Sequence, residues 1–196
     1  MKVVFASKNQ GKIREVKQAF QGTDIELLCD NEVSFSDVEE TGTTFLENAL
    51  IKARNACKQT GLAALADDSG IEVAHLKGAP GVYSARYSGP NASSDSNLEK
   101  LIDELKGVPL EKREATYRCV FVFVRFFEDP FPLVAMGSWK GVICQERQGE
   151  KGFGYDPIFY LLELKKTAAE LSLEHKNSIS HRAIALHQLK QQLLTS

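Results

Sequence analysis

The stretch LADDSG, residues 65–70, brings two adjacent carboxylates, a hydroxyl and a glycine to the end of an apolar run. The run, residues 63–66, predicts a short buried strand, and the Ser-Gly pair is typical of a turn, so Asp67 and Asp68 are expected at a strand's end. Because neighbouring side chains on a strand point to opposite faces, one carboxylate can face a cleft and a metal ion while the other serves the turn. Taken alone, these six residues favour an ordinary Asx-turn over a site, and the rest of the chain has to decide between the two interpretations.

The overall composition limits the class of protein. A chain of 196 residues is long enough to bury a substantial core as one compact unit. Its 24 basic and 26 acidic residues give a formal net charge of -2. Such a balance provides no overall field to attract nucleic acid or an anionic membrane, so neither is expected as a partner.

Residue spacing gives no support for a disulfide framework, a zinc site or a membrane segment. The four cysteines are widely spaced and form no C-x-x-C pair, so we expect buried free thiols. The four histidines lack zinc-site spacing, and any metal is therefore expected to be a hard, oxygen-bound ion. The chain starts without a signal-peptide pattern, and its longest apolar run, residues 120–127, is interrupted by Arg125. We expect a soluble, cytoplasmic protein.

The first strand and helix are joined by the loop SKNQGK, residues 7–12. Residues 2–6 predict a buried strand, and apolar periodicity begins at Ile13. A loop in this position directs backbone N–H groups and the positive end of the helix dipole towards one point, which suits phosphate. Lys8 and Lys12 add charge, and Asn9 adds a directional amide. The spacing is not that of a Walker A loop, so an ordinary strand-helix turn remains an alternative.

The next helix follows an acidic segment that ends in EETG, residues 39–42. Thr44 and Glu47 predict a capping box, and the apolar stripe behind it predicts a helix over residues 45–59. Asn48 and Lys52 are four residues apart and therefore share one helix face. That face either lines a cleft beside the acidic segment or is a solvated helix surface.

Two further segments in the second half carry site chemistry. In residues 149–157, Phe153 or Tyr155 could stack on a base, and Asp156 could accept from its ring N–H. A helix predicted over residues 178–194 has basic residues near its start, which favours an anion site, although a serine cap with incidental surface charges fits as well. Residues 116–127 and 133–144 predict an apolar hairpin in a central sheet or at a dimer surface.

Together these signals predict a site for a nucleoside triphosphate and Mg²⁺. Hard Mg²⁺ prefers a few carboxylate oxygens together with water and substrate phosphates. Asp68 and Glu40 are therefore the predicted metal ligands, with lysines neutralising the remaining phosphate charge.

Six motifs, in this order along nearly the whole chain, closely resemble the inosine triphosphate pyrophosphatase family, and within it the bacterial dITP/XTP pyrophosphatases. They are SKNQGK at 7–12, EETG with FLENA at 39–49, ADDSG at 66–70, GAPGVYSAR at 78–86, FGYDP at 153–157 and SHR at 180–182. The resemblance implies an α/β fold of two lobes around a long mixed β-sheet with flanking helices and a nucleotide cleft between the lobes. It also implies a single domain over residues 1–196, usually a homodimer.

The implied activity is hydrolysis of ITP, dITP and XTP to the monophosphate and pyrophosphate, which removes deaminated purines from the nucleotide pool. The resemblance implies that Asp68 is the general base and a metal ligand, with Glu40 also holding Mg²⁺. The implied substrate-binding residues are Ser7, Lys8, Asn9, Gln10, Gly11, Lys12, Lys52, Ser69, Phe153, Gly154, Tyr155, Asp156, Lys176, His181 and Arg182. His181 and Arg182 are the expected donors to the base.

One position departs from the family pattern, and two other functions remain open. The first loop has Ser-Lys-Asn where many relatives have Thr-Gly-Asn, so Lys8 replaces a residue of greater backbone freedom. A non-catalytic purine nucleotide sensor could use the same pocket. A pyrophosphatase for modified pyrimidine nucleotides is the other alternative. Substrate turnover and the effect of Asp68→Asn distinguish the three.

Overall fold

A computed structural model gives the fold and describes residues 1–195. The sheet has seven strands in the order β2-β1-β3-β4-β5-β6-β7. The strands are β1 Lys2–Phe5, β2 Glu26–Leu28, β3 Ala63–Val73, β4 Glu114–Val124, β5 Leu133–Ile143, β6 Phe159–Leu161 and β7 Lys166–Thr167. The α-helices are α1 Gln10–Phe20, α2 Phe45–Thr60, α3 Ser94–Glu104, α4 Leu173–Ile179 and α5 His181–Thr195. Five short 3-10 helices span Ala74–Leu76, Gly81–Arg86, Leu110–Lys112, Asp156–Ile158 and Ala168–Glu170.

The sheet is mixed. β1 pairs in parallel with β2 and β3, whereas β6 pairs antiparallel with β5 and β7. Parallel pairing of β1 with β2 and β3 requires crossover connections, which α1 and α2 supply. The predicted α/β class with a mixed sheet and flanking helices is therefore confirmed.

The chain divides into two compact units. The first unit contains residues 1–68, 119–137 and the chain from Arg182 onward, and the second contains residues 69–118 and 138–181. The single domain expected over residues 1–196 stays a prediction.

The first unit buries both faces of its strands. Val3 and Phe5 of β1 pack with α1 and α5 on one face, whereas Val4 packs on the other face with the alanine-rich side of α2. This alternation follows from the two-residue period of a strand. Ala49, Ala53 and Ala56 of α2 are fully buried, and their small side chains let the helix lie close to the sheet.

The second unit has its own apolar core, built around aromatic side chains. Tyr117 of β4, Trp139 of β5 and Phe159 of β6 lie in this core with Leu98 and Leu101 of α3. The ring centroids of Tyr117 and Phe159 are 4.6 Å apart. These rings come from three successive strands of the sheet, so the cluster depends on the pairing of β4, β5 and β6.

Two sequence-based boundaries are wrong. Asp67 and Asp68 do not end a strand, because β3 runs without interruption through Ser69-Gly70 to Val73. β3 has two neighbours in the sheet, β1 and β4, and it extends beyond the residues paired with β1, whose register ends at Leu65. The second error concerns the last helix: α5 begins at His181, and Lys176 belongs to the separate helix α4, which ends before an extended Ser180.

Other expectations agree with the structure. The capping box of Thr44 and Glu47 begins α2. All four cysteines are free and buried. Within the described part of the chain, no helix combines the length and apolar character needed to cross a membrane.

Candidate active site

The acids of β3 lie on opposite faces of the strand, and each meets a lysine. Oδ2 of Asp67 is 2.9 Å from Nζ of Lys12, on the face covered by α1 and α5. Oδ1 of Asp68 is 3.2 Å from Nζ of Lys52, on the face covered by α2. Both carboxylates are buried, with side-chain exposures of 0% for Asp67 and 9% for Asp68. Adjacent residues in the sequence therefore occupy two different environments.

The loop between β1 and α1 positions Lys12. Asn9 is the N-cap of α1, and its Oδ1 accepts from the backbone N–H groups of Gly11 and Lys12 at 2.9 and 3.1 Å. The cap places Lys12 in the first helical turn, from which its ammonium reaches Asp67. The side chain of Asn9 already binds these two backbone N–H groups. The positive charge that the loop brings to Asp67 is therefore the ammonium of Lys12.

The segment carrying Glu40 is fixed to α2 through Asn48. Oδ1 of Asn48 accepts from the backbone N–H of Gly42 at 2.8 Å, and its Nδ2 donates to Oδ2 of Asp68 at 3.3 Å. A Cβ on Gly42 would lie 2.7 Å from Oδ1 of Asn48, so this close approach requires glycine. Nζ of Lys52 lies 3.1 Å from Oε1 of Glu40, so one ammonium connects Glu40 with Asp68.

The two acids have opposite pKa shifts. Burial raises the pKa of Asp67, but the positive charges of Lys12, Arg182 and Lys52 outweigh it and lower the pKa to about 2. Burial also raises the pKa of Asp68; Lys52 and Lys12 oppose this rise, and the negative charges of Glu40 and Asp67 reinforce it. Adjacent carboxylates with separated pKa values can take different roles, and the acid with the higher pKa is the better proton acceptor near neutral pH.

Asp67 also belongs to a buried ion-pair network with Arg182 and Glu15. NH2 of Arg182, at the start of α5, is 3.5 Å from Oδ2 of Asp67, and NH1 is 2.5 Å from Oε2 of Glu15 on α1. The Arg182 side chain is 2% exposed and that of Glu15 4%. Sequence reasoning missed Glu15. The available signal was an acid within the buried side of α1, next to Val16.

The acids of the first unit provide suitable donors for a magnesium ion. Asp68 and Glu40 offer hard carboxylate oxygens that share the ammonium of Lys52. Oδ1 of Asp67 is a buried oxygen with no hydrogen-bond partner among the described residues. Residues 1–195 contain no group of three or more His, Cys, Asp or Glu side chains arranged to hold a metal. Two carboxylates suit Mg²⁺, which takes its remaining ligands from water and substrate phosphates.

The second unit gathers the predicted base-binding residues around Asp156. Oδ2 of Asp156 accepts from Nζ of Lys176 at 2.6 Å and from the backbone N–H of Phe153 at 2.9 Å. Nζ of Lys176 also lies 4.6 Å from the centre of the Phe153 ring. Gly152, with φ of +78°, allows this approach, because a Cβ there would lie 2.1 Å from Oδ2 of Asp156. The hydroxyl of Tyr155 donates to the carbonyl of Ser84 at 2.8 Å, which also anchors this loop.

An aromatic cluster completes this second group. The imidazole of His181 stacks on Tyr117, with centroids 4.6 Å apart and planes 5° apart. Trp139 lies alongside, with its ring centre 6.3 Å from that of His181. Sequence reasoning predicted His181 but missed Tyr117 and Trp139, because aromatic residues in an apolar strand are usually core residues.

The predicted site residues thus form two groups, one in each unit, and some lie apart from both. Asp68, Glu40, Lys52, Lys12, Asn9 and Arg182 belong to the first group, and Phe153, Asp156, Lys176 and His181 to the second. Lys8 is exposed and pairs with Asp37 at 2.8 Å, and Gln10 is also exposed. The remaining predicted residues, Ser7, Gly11, Ser69, Gly154 and Tyr155, lie beside one or other group in the chain.

Comparison with known proteins gives consistent results along the whole chain. A family model described as the Ham1 family matches residues 3–192. A dITP/XTP pyrophosphatase of Photorhabdus laumondii is 52% identical over 185 residues, which is 94% of each chain. One from Vibrio parahaemolyticus is 52% identical over 192 residues, 98% of this chain and 96% of its own.

Solved structures agree with the sequence relatives. A HAM1 protein from Coxiella burnetii superposes with a TM-score of 0.92 at 45% identity, covering 100% of both chains. The Ham1 protein of Staphylococcus aureus gives a TM-score of 0.87 at 43% identity over 100% of this chain and 99% of its own. The resemblance predicted from the six motifs is confirmed: the chain belongs to the Ham1 family.

Proposed function

We propose that the protein is a nucleoside triphosphate pyrophosphohydrolase that converts ITP, dITP and XTP to the monophosphate and pyrophosphate. The observation that carries the proposal is the pair of adjacent acids on β3, each buried against a lysine and shifted in opposite pKa directions. Its 52% identity to proteins named dITP/XTP pyrophosphatase supports the choice of substrate.

Asp68 is the proposed general base. Its raised pKa favours accepting a proton from an attacking water through a carboxylate oxygen. Asn48 donates to Oδ2, and Lys52 contacts Oδ1, so the carboxylate is held in one orientation. Asp67, with its lowered pKa, stays ionised and keeps the ammonium of Lys12 in place. The two acids therefore divide proton transfer and positioning between them.

Lys12 and Lys52 are the proposed phosphate-binding cations, and Asp68 with Glu40 would hold Mg²⁺. When bound, the ion supplies positive charge that neutralises phosphate oxygens. In the structure both lysines are paired with acids, so binding a triphosphate requires each ammonium to exchange or share its carboxylate partner. Phosphoryl transfer depends mainly on such positioning and charge stabilisation.

The residues around Asp156 are the proposed base site. Phe153 offers an aromatic face, and the carboxylate of Asp156 can accept from a purine ring N–H. His181 is the candidate donor to the 6-oxo group, and Arg182 remains a predicted nucleotide contact. A site that donates to O6 and lacks an acceptor for a 2-amino group discriminates against ATP and GTP, because unpaired buried polar groups cost free energy.

The decisive experiment is a product assay with ITP, dITP, XTP, ATP and GTP in the presence of Mg²⁺. We expect monophosphate and pyrophosphate from the first three only, loss of turnover with a chelator, and loss with Asp68→Asn. Release of single phosphate, or binding of ITP without turnover, would contradict the proposal. Modified pyrimidine triphosphates in the same panel test the related alternative.

We also propose a homodimer. The turn region between β4 and β5 exposes Phe126 and Phe131, at 51% and 76%, and Met136 of β5 is 50% exposed. Large apolar side chains exposed to this extent can mark an association surface. Sedimentation velocity should give twice the chain mass for the wild type and a monomer for Phe131→Asp. A wild-type monomer would contradict the dimer.

A further inference from the structure

The hydroxyl of Tyr117 touches the residue proposed to recognise the base. Its oxygen lies 3.3 Å from Oδ1 of Asp156, and both side chains are buried, with residue exposures of 7% for Tyr117 and 2% for Asp156. The other carboxylate oxygen, Oδ2, accepts from Lys176 and from the backbone of Phe153. Two donors therefore hold Oδ2. The contact from Tyr117 to Oδ1 fixes the rotation of the carboxylate about the Cβ–Cγ bond.

The ring of the same tyrosine supports His181. The two rings are parallel within 5°, with centroids 4.6 Å apart, so the phenol plane sets the imidazole plane. The Tyr117 ring also packs against Phe159 and Trp139, with ring centroids 4.6 and 6.4 Å away. One side chain of β4 thereby orients both the acceptor and the candidate donor of the base site.

We propose that Tyr117 is a positioning residue for base recognition, acting through Asp156 by its hydroxyl and through His181 by its ring. This inference rests on the proposed function, because it takes Asp156 and His181 as contacts to the purine. The carboxylate and imidazole present their hydrogen-bonding atoms in fixed directions, and a purine that matches those directions binds without reorganising them. Nothing in the chemistry requires Tyr117 to touch the base.

The experiment separates the hydroxyl from the ring. Tyr117→Phe keeps the stack on His181 and removes the hydrogen bond to Asp156, whereas Tyr117→Leu removes both. Tyr160→Phe is the matched control, because Tyr160 is a half-buried tyrosine that packs against the same core. Inosine monophosphate is the probe, and its binding is followed by the emission of Trp139, the one tryptophan of the protein. ITP hydrolysis gives KM and kcat for the same variants.

We expect Tyr117→Phe to weaken inosine monophosphate binding and to raise KM for ITP by roughly 3- to 10-fold, the range for loss of one hydrogen bond. Its kcat should stay within about twofold of the wild type, because the phosphate chemistry belongs to residues of the other group. Tyr117→Leu should weaken binding further, and Tyr160→Phe should match the wild type. A purely structural role for Tyr117 would lower the unfolding temperature and leave binding by the folded Tyr117→Phe variant unchanged.

Two results would overturn the inference: unchanged probe affinity in Tyr117→Phe, or an equal loss of affinity in Tyr160→Phe. Either can occur while the wild type hydrolyses ITP, in which case only the role of Tyr117 fails. If the wild type binds and hydrolyses no purine triphosphate, the proposed function itself fails. The two failures are therefore distinguishable in one set of measurements.

Discussion

Lys52 and Asp68 form a buried contact, with Nζ 3.2 Å from Oδ1, and Lys52 is the largest favourable charge acting on that carboxyl group. Burial lowers the pKa of Lys52, but Asp68, Asp67 and Glu40 together outweigh this effect and raise it. Each charge of the pair therefore favours the ionised form of the other, and burial opposes both. This relationship sets the expected behaviour of both residues when either is changed.

Asp68→Asn should lower kcat by roughly 100- to 10,000-fold, the usual contribution of a positioned general base. Stability at neutral pH should be equal or higher, because the raised pKa means that ionisation of Asp68 costs folding free energy. Product assays and thermal unfolding test the two statements. Asp103→Asn, an exposed acid of α3, is the control for loss of one charge. A large fall in stability would mean that Asp68 is structural.

Lys52→Met should move the acidic limb of the pH profile of kcat/KM to higher pH. Removing the ammonium leaves burial, Glu40 and Asp67 to raise the pKa of Asp68 without its main opposing charge. The carboxylate then needs a higher pH to ionise, so the base form is lost earlier as the solution is acidified. Rates measured across the acidic range at fixed Mg²⁺ give the limb. An unshifted limb would show that another group controls it.

Glu40→Gln should raise the Mg²⁺ concentration needed for half-maximal rate by about tenfold or more, since charged oxygen ligands determine affinity for hard cations. The neighbouring Glu39 is exposed, so Glu39→Gln is the matched control and should leave the requirement unchanged. A titration of rate against Mg²⁺ at saturating ITP measures the difference. Equal curves for the two variants would remove Glu40 from the metal site.

Gly152→Ala should weaken base binding and stability together. A Cβ at this position would lie 2.1 Å from Oδ2 of Asp156, which displaces the carboxylate, and the φ of +78° adds backbone strain. Gly22→Ala isolates the strain, because its φ is +77° and nothing lies within 4 Å of the added atom. We expect both variants to lose roughly 1 kcal/mol of stability from strain, and only Gly152→Ala to raise KM for ITP. A raised KM in Gly22→Ala would point to a global effect.

Asp129→Asn should destabilise the β4–β5 turn in a pH-dependent manner. The buried carboxylate accepts from the side chain and backbone of Arg125 and from the backbone of Phe131, and these contacts lower its pKa below the ordinary range. A lowered folded-state pKa contributes stability above the unfolded value of about 3.9, and that stability is lost as the pH falls further.

Urea unfolding near neutral pH should show Asp129→Asn less stable than the wild type by roughly 2 kcal/mol, the scale of hydrogen bonds to a charged group. The difference should narrow as the pH falls below about 4, where the Asp129 carboxylate of the unfolded chain begins to protonate while that of the folded protein, with its lowered pKa, stays ionised. A difference that stays constant with pH would mean that packing, rather than charge, stabilises the turn.

The sequence was sufficient for the elements with strong local signals. The capping box of Thr44 and Glu47 begins α2 as predicted, and the Lys12 loop follows β1. The end of β3 could not be predicted, because Ser69-Gly70 is typical of a turn, yet the strand continues with β4 as its neighbour. Pairing with another strand depends on residues about 50 positions away, and local turn preference does not include it.

The residues of the two groups differed in how well they could be predicted from the sequence. Acids and lysines near a strand are unusual enough to mark a site, so Asp68, Lys12 and Lys52 were predicted. Tyr117 and Trp139 were missed, because their apolar strands give the pattern of an ordinary core, and only the tertiary stack on His181 distinguishes them. Glu15 was missed for a related reason: its partner Arg182 is 167 positions away in the chain.

The opposite orientation of Asp67 and Asp68 makes the alignment of β3 with β1 a determinant of activity. In the observed register, Val3 of β1 pairs with Ala63 of β3, and Phe5 pairs with Leu65. A shift of β3 by one residue would exchange the two faces, so that Asp67 would meet Lys52 and Asp68 would meet Lys12. A single-residue deletion between α2 and β3 removes no site residue. If the deletion shifts β3, the enzyme should be inactive. If the turn shortens instead, β3 keeps its alignment with β1 and the activity is retained.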